Sequence, residues 1–410
     1  MIINDIKCQF TKRKKMLGDF GYNIMATAIA TIILQLLVYP YLAKIFSADI
    51  YGQLLTIMGI ANIFLASFGG ALNNVRLIQK TSYDEQNLEG DFNILLVISL
   101  AVSTLIFACI IQQEINGISL ILLLLYVIFG IAQNYWVVSY RIVIDYRANL
   151  NYNIFVGVGY VVGLILTNYL KYWPLTFLSG QILGMVYLLK STVLYREKYR
   201  ITPMLYNTTK VYMILIATNL IANVVVYLDR IFLYPVMGGE QVTIYTVSSF
   251  VGKSIGLVVT PIASVLLSYY AQNSFIMTVK KYWLINGIIL VGGGMAGIIA
   301  IILAPWVTGL LYPSVIDSAR QYIVIANVAS LVGVLANIIA PAVLKFANIF
   351  WQIFIQTVYA VTYIGLGYLF MQSGGLMGFC IATLLVNMIR MLLLMLIGHH
   401  SILTRMRSGQ

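Results

Sequence analysis

Apolar stretches of about twenty residues, the length a helix needs to cross a bilayer, recur from one end of this chain to the other with only short polar segments between them. Hydrophobic residues make up 61% of the 410 residues and charged residues 9%, with a mean hydropathy of +0.91. A water-soluble core of this composition would leave too few charges to cover its surface, because soluble domains are about one quarter charged. Lipid must act as the solvent. The pattern predicts twelve spans: 17–43, 51–72, 93–111, 118–138, 152–170, 173–189, 211–236, 242–269, 283–304, 322–344, 349–370 and 376–398. The expected fold class is therefore all-α, a polytopic membrane protein, and no segment is left for a soluble catalytic domain.

The positive charges orient these spans. With the N-terminus placed in the cytoplasm, 19 of the 25 Lys and Arg fall on the inner side. Three (Lys44, Lys171 and Arg320) fall outside, and three (Arg230, Lys253 and Arg390) lie within or at the edge of spans. This is the positive-inside bias, which accounts for the net charge of +12 without nucleic acid and predicts that both termini are cytoplasmic. The leader Lys12-Arg13-Lys14-Lys15 reads as a topology anchor or as a contact for anionic membrane lipids. The basic loop Lys190–Lys210 falls mid-chain and predicts two six-helix lobes, 1–195 and 196–410. Val38-Tyr39-Pro40 followed by Ile50-Tyr51 is echoed by Leu233-Tyr234-Pro235 followed by Ile244-Tyr245, as a parallel repeat with a path between lobes would produce.

Polar side chains in lipid are costly and face a bundle interior or a water-filled cavity. On the first span Asn23, Thr27, Thr31 and Gln35 recur every four residues. On the seventh, Asn219, Asn223, Tyr227 and Arg230 share a face; on the eighth, Thr246, Ser249, Lys253, Gly256 and Thr260; on the twelfth, Thr383, Asn387 and Arg390. The neutral members read either as cavity lining or as interhelical hydrogen-bonding groups. A cation within a span costs roughly 2.5–3.5 kcal/mol on insertion scales, so Lys253, Arg230 and Arg390 are candidates to line a cavity and bind an anion. Arg76 is either a further cavity cation or a topology anchor. Asp229 is either a structural partner or the site where a proton or sodium ion couples to transport.

Enzyme chemistry finds little support. The outer carboxylates Asp49, Glu114, Glu240 and Asp317 are isolated in sequence, and no outer loop is large enough for a polysaccharide polymerase. There is no phosphate-binding Walker motif, no cysteine pair at metal spacing among Cys8, Cys109 and Cys380, and only the adjacent His399 and His400. A resident cofactor or metal is not expected.

The stretch Asn23–Arg76 resembles the opening of bacterial polysaccharide flippases of the multidrug/oligosaccharidyl-lipid/polysaccharide (MOP), or MATE-like, superfamily. Gln35, Pro40-Tyr41-Leu42-Ala43, Tyr51-Gly52, Phe68-Gly69-Gly70, Asn73 and Arg76 carry the resemblance, and Asp229-Arg230 with Ile244-Tyr245 echo it in the second half. Phe46-Ser47-Ala48 departs from the family's usual Leu-Gly pair, and the Phe68 turn has a second Gly. The resemblance implies a non-enzymatic flippase of the bacterial inner membrane, moving an undecaprenyl-diphosphate-linked oligosaccharide repeat unit outward by alternating access, with a polysaccharide polymerase as a candidate partner. Membrane potential, a proton or sodium would drive it. The alternatives are a multidrug exporter of the same superfamily and a membrane enzyme of polysaccharide assembly.

Overall fold

The computed structural model describes residues 29–115, 117–271 and 276–407. The basic leader, Asn23 and Thr27 lie outside the described residues. All the regular structure among the described residues is helical. In chain order it comprises α1 (Ile29–Ile45), α2 (Ala48–Glu85), α3 (Asp91–Ile111), α4 (Ile118–Val143), α5 (Tyr146–Leu170) and α6 (Pro174–Ser191). These are followed by α7 (Leu205–Ser248), α8 (Phe250–Ala271), α9 (Val279–Leu311), α10 (Ile316–Phe346) and α11 (Ile349–Arg407). Among the described residues eight helices are long and apolar enough to cross a membrane: α2 to α5, α7, and α9 to α11. A lipid-exposed backbone must satisfy its own hydrogen bonds, and an all-helical chain does so.

Two helices are far longer than one bilayer crossing. At 1.5 Å per residue, the 44 residues of α7 and the 59 of α11 would extend about 65 and 90 Å, against a hydrocarbon core of about 30 Å. Each contains one glycine with non-helical angles, Gly238 (φ 80°) in α7 and Gly375 (φ 56°) in α11. Residues with a Cβ rarely enter this region of φ. The arms of α11 fold back on each other there: Tyr363 meets Phe379 and, farther from the bend, Tyr359 meets Arg390. Several helices also outrun their apolar stretches. α2 continues to Glu85, where the sequence pattern ends at 72, because hydropathy marks the length in lipid and not the length of the hydrogen-bonded helix. Beyond that point an i,i+4 ion pair, Lys80–Asp84, supports the helix.

The chain divides into two compact units. Unit 1 comprises Gln53–Ile231 with the segment ending at Phe46; unit 2 comprises Ser47–Gly52 and Phe232–Gln410. In unit 1, α5 packs closely on α6, where Gly159 and Gly163 let the backbones meet: a Cβ on either would fall 2.5–2.6 Å from backbone atoms of Ser179 or Thr176. Tyr39, Tyr126, Tyr160 and Trp173 gather around Phe177. The basic mid-chain loop is pinned in place. Buried Asp91 accepts from Tyr83 Oη (2.7 Å), the Thr202 hydroxyl and the Thr202 amide (2.8 Å), and Asn93 Nδ2 donates to Glu197 O (2.9 Å). In unit 2, α10 packs against α8, and it packs against both arms of α11 through a core that includes Ile339, Val343, Ile355 and Leu394.

Candidate functional site

The site in unit 2 begins with an interruption in a helix. Ser248 O and Gly252 N are the partners of one regular i→i−4 bond, and the carboxamide of Asn327 on α10 has entered between them. Its Nδ2 donates to Ser248 O (2.6 Å) and to Ile323 O (2.7 Å), while its Oδ1 accepts from Gly252 N (2.6 Å). A side chain inserted in the ladder is a recognised cause of helix bending, and it falls where α7 gives way to α8. Lys253 is the next residue. Its Nζ lies 4.7 Å from the centroid of Tyr245, since helical side chains lean back toward the N-terminus.

Tyr245 starts a chain of rings. Its centroid is 5.1 Å from that of Phe379; Phe379 is 5.9 Å from Tyr363, and Tyr363 is 5.8 Å from Tyr359. Phe232 stacks on Phe379 at 6.2 Å. Arg390 closes the chain, with its Cζ 5.1 Å from the Tyr359 centroid. Tyr245, Phe379 and Tyr363 are buried, whereas Lys253, Tyr359 and Arg390 are half-buried. A cation over an aromatic face gains about 0.5–2 kcal/mol without losing its net charge, as it would beside a carboxylate. From residue 241 to the end of the chain the sequence holds one carboxylate, Asp317. Among the described residues no carboxylate pairs with Arg390, and its buried Nε has no hydrogen-bond partner. This arrangement can attract an anion.

The neutral members of the polar stripes divide between helix clamps and local bonds. Asn387 is buried, and its Nδ2 donates to Ala329 O (2.9 Å) on α10. Ser249 Oγ donates to Tyr245 O (2.9 Å), and Thr383 to Phe379 O (2.9 Å). The Thr246 hydroxyl, on the Lys253 stripe, is buried without a partner.

The remaining candidates lie in unit 1. There α2 contains a π segment, Leu65–Gly69, whose wider turn frees carbonyls. Tyr212 Oη donates to Phe68 O (3.1 Å) and Asn219 Nδ2 to Ala66 O (3.4 Å), while Asn223 Nδ2 donates to Asn219 O (2.8 Å). Gln35 is half-buried in the other π segment, Leu34–Val38 of α1. The Arg230 guanidinium lies 5.9 Å from the Tyr227 ring and donates to Leu55 O (3.4 Å). Asp229 Oδ1 accepts from the Arg230 backbone amide (2.8 Å). Arg76 makes a two-pronged pair with Glu197, donates to Tyr135 Oη (2.6 Å) and covers the Phe92 ring at 4.9 Å.

The structure adds residues to the sequence-derived set. Asn327, Tyr245, Tyr359, Tyr363 and Phe379 build the surroundings of Lys253 and Arg390. Gln352, Gln356, Tyr359 and Tyr363 recur at intervals of four, three and four, a polar face on the first arm of α11.

No protein-family model matches the chain, and no curated protein matches it in sequence. Solved structures do resemble it. The lipid II flippase MurJ in an inward closed conformation superposes with a TM-score of 0.65 at 16% identity, over 90% of this chain and 86% of that one. The Vibrio cholerae MATE transporter VcmN in its bent form gives 0.60 at 11% identity, over 95% and 97%. An outward-facing multidrug resistance MATE family transporter of the MOP superfamily gives 0.58 at 15% identity, over 93% and 94%. The chain is a multi-pass helical membrane protein with the fold that these MATE transporters share with the flippase MurJ.

Proposed function

We propose that this protein is a flippase that carries an undecaprenyl-diphosphate-linked oligosaccharide repeat unit from the cytoplasmic to the outer leaflet, with no covalent chemistry of its own. The observation that carries the reading is the pair of cations in unit 2, Lys253 and Arg390, seated on aromatic rings in a stretch with one carboxylate. A diphosphate supplies the complementary charge. The likeness to a lipid II flippase adds support at the level of fold.

In this reading twelve spans form two lobes, 1–195 and 196–410, with both ends in the cytoplasm; the bends at Gly238 and Gly375 each separate two crossings. The lobes rock to expose the cavity alternately. Lys253 and Arg390 receive the acidic groups of the substrate, the diphosphate among them, and Arg230 contributes at the edge. Arg76, already engaged by Glu197, contributes less directly. An inside-negative potential favours outward movement of an anion by about 2.3 kcal/mol per charge per 100 mV, and Asp229 is the candidate for ion coupling.

Multidrug export is the second reading, favoured by the MATE structures of the same fold. A carrier of organic cations calls for carboxylates where this chain places Lys253 and Arg390. Deleting the gene in the source cell and labelling its lipid-linked oligosaccharides with an impermeant sugar oxidant separates the readings. A flippase leaves single repeat units facing inward, with loss of surface polysaccharide. Outward-facing single units contradict the proposal and point to a polymerase; unchanged glycolipid points to drug export.

A further inference from the structure

Three of the ten buried side-chain atoms without hydrogen-bond partners among the described residues lie on the single hairpin α11: Gln352 Nε2, Gln356 Oε1 and Arg390 Nε. Such atoms are rare in folded proteins, and each implies a partner that the protein does not supply. In a membrane-spanning hairpin, bulk water is not there to supply it. The three are organised. Gln352, Gln356 and Tyr359 share a helix face by their spacing, and Tyr359 on that face holds Arg390 against its ring. The two carboxamides sit about one helical turn apart, and each donates and accepts. The set offers a guanidinium for an anion, two carboxamides for hydroxyls and a half-buried aromatic face.

We propose that Gln352, Gln356, Tyr359 and Arg390 form a subsite for one acidic sugar unit, distinct in its contacts from the Lys253 end of the ring chain. Arg390 takes the acidic group, Gln352 and Gln356 bond the hydroxyls, and Tyr359 packs on the C–H face of the ring. The proposal rests on the flippase reading for the sugar, and on the orphaned atoms for the place. The acidic group is either a phosphate on the first sugar or a carboxylate within the glycan, and both offer Arg390 the same oxyanion.

The test uses the full chain in lipid nanodiscs and equilibrium binding of four probes: glucose 1-phosphate, glucuronic acid, glucose and inorganic phosphate. The acidic sugars should bind at least about tenfold more tightly than glucose or inorganic phosphate, because a site built from polar groups rejects a ligand that leaves them unpaired. Which acidic sugar binds better assigns the source of the acid. Gln352→Leu and Gln356→Leu should each weaken acidic-sugar binding by about three- to tenfold, the scale of one hydrogen bond, and leave inorganic phosphate unaffected. Arg390→Ala should weaken both. Gln→Ala at the same positions serves where a leucine variant fails to insert. Inorganic phosphate binding as tightly as the acidic sugars, unchanged binding by the glutamine variants, or no binding of any probe would overturn the subsite. Binding is read without transport, so a wild-type protein that binds an acidic sugar but leaves glycolipids unflipped contradicts the flippase reading and leaves the subsite standing.

Discussion

Arg76 in unit 1 and Arg390 in unit 2 are both half-buried arginines on apolar helices, and the protein treats them in opposite ways. Arg76 is saturated: a two-pronged carboxylate, a tyrosine hydroxyl and a ring face meet its guanidinium. Among the described residues Arg390 has one ring, no carboxylate and an orphaned Nε. The same contrast extends to the surroundings. Asp91, Asp84 and Glu197 take up donors in unit 1, whereas the stretch of unit 2 from 241 onward has cations and a single acid. A charge that is neutralised in place holds structure; a charge kept net positive at a cost in stability is available for a ligand. Sequence position alone puts both arginines in the same class.

The largest expected effect falls on transport at the two cations of unit 2 seated on aromatic rings. Arg390→Ala and Lys253→Ala should each reduce glycolipid flipping by about a hundredfold, the scale of losing one partner of a desolvated charge contact, with normal insertion. Near-wild-type flipping by either variant would remove that residue from the site. Next comes a split in stability. Arg76→Ala should lower stability by about 2 kcal/mol, because it strands Glu197 and removes a donor from Tyr135. Arg390→Leu should leave the unfolding midpoint unchanged or raise it, since it deletes an unpaired buried donor. Thermal unfolding in detergent reads both, and equal losses would erase the distinction between the two arginines. A charge reversal, Arg76→Glu with Glu197→Arg, should recover about half of the stability lost in Arg76→Ala; no recovery would mean that the pair is not what holds the loop. The smallest effect is that of Asn327→Leu, about 1 kcal/mol. The ladder between Ser248 and Gly252 can then close, so hydrogen exchange at the Gly252 amide should slow. Unchanged exchange would show that Asn327 does not hold the helix open.

Much of the helical architecture was legible in the sequence because it depends on local runs of apolar residues, and the breaks at Gly238 and Gly375 fall between predicted spans. Helix ends were less legible: α2 gains 13 residues beyond its apolar run, from 73 to 85, by contacts hydropathy does not register. Lys253 and Arg390 announced themselves as charges in lipid. Their environment did not, because Tyr245, Tyr359 and Phe379 are ordinary apolar-face residues until folding brings their rings together. The Gln352–Gln356–Tyr359–Tyr363 face has a readable period, but it carries no charge, and neutral amides on an apolar helix read equally as interhelical hydrogen-bonding groups. Asn327 is a lone amide whose role exists only beside Gly252, and Glu197 reaches Arg76 from 121 residues away.

The most direct measurement is flipping by the purified protein in proteoliposomes loaded with lipid-linked oligosaccharides extracted from the source cell, read as the fraction reached by an impermeant sugar oxidant. Wild-type protein and Arg76→Lys should flip the glycolipid, and Arg390→Ala and Lys253→Ala should not. Equal flipping by all four proteins, or none by the wild type, would contradict a flippase in which Lys253 and Arg390 carry the substrate's charge.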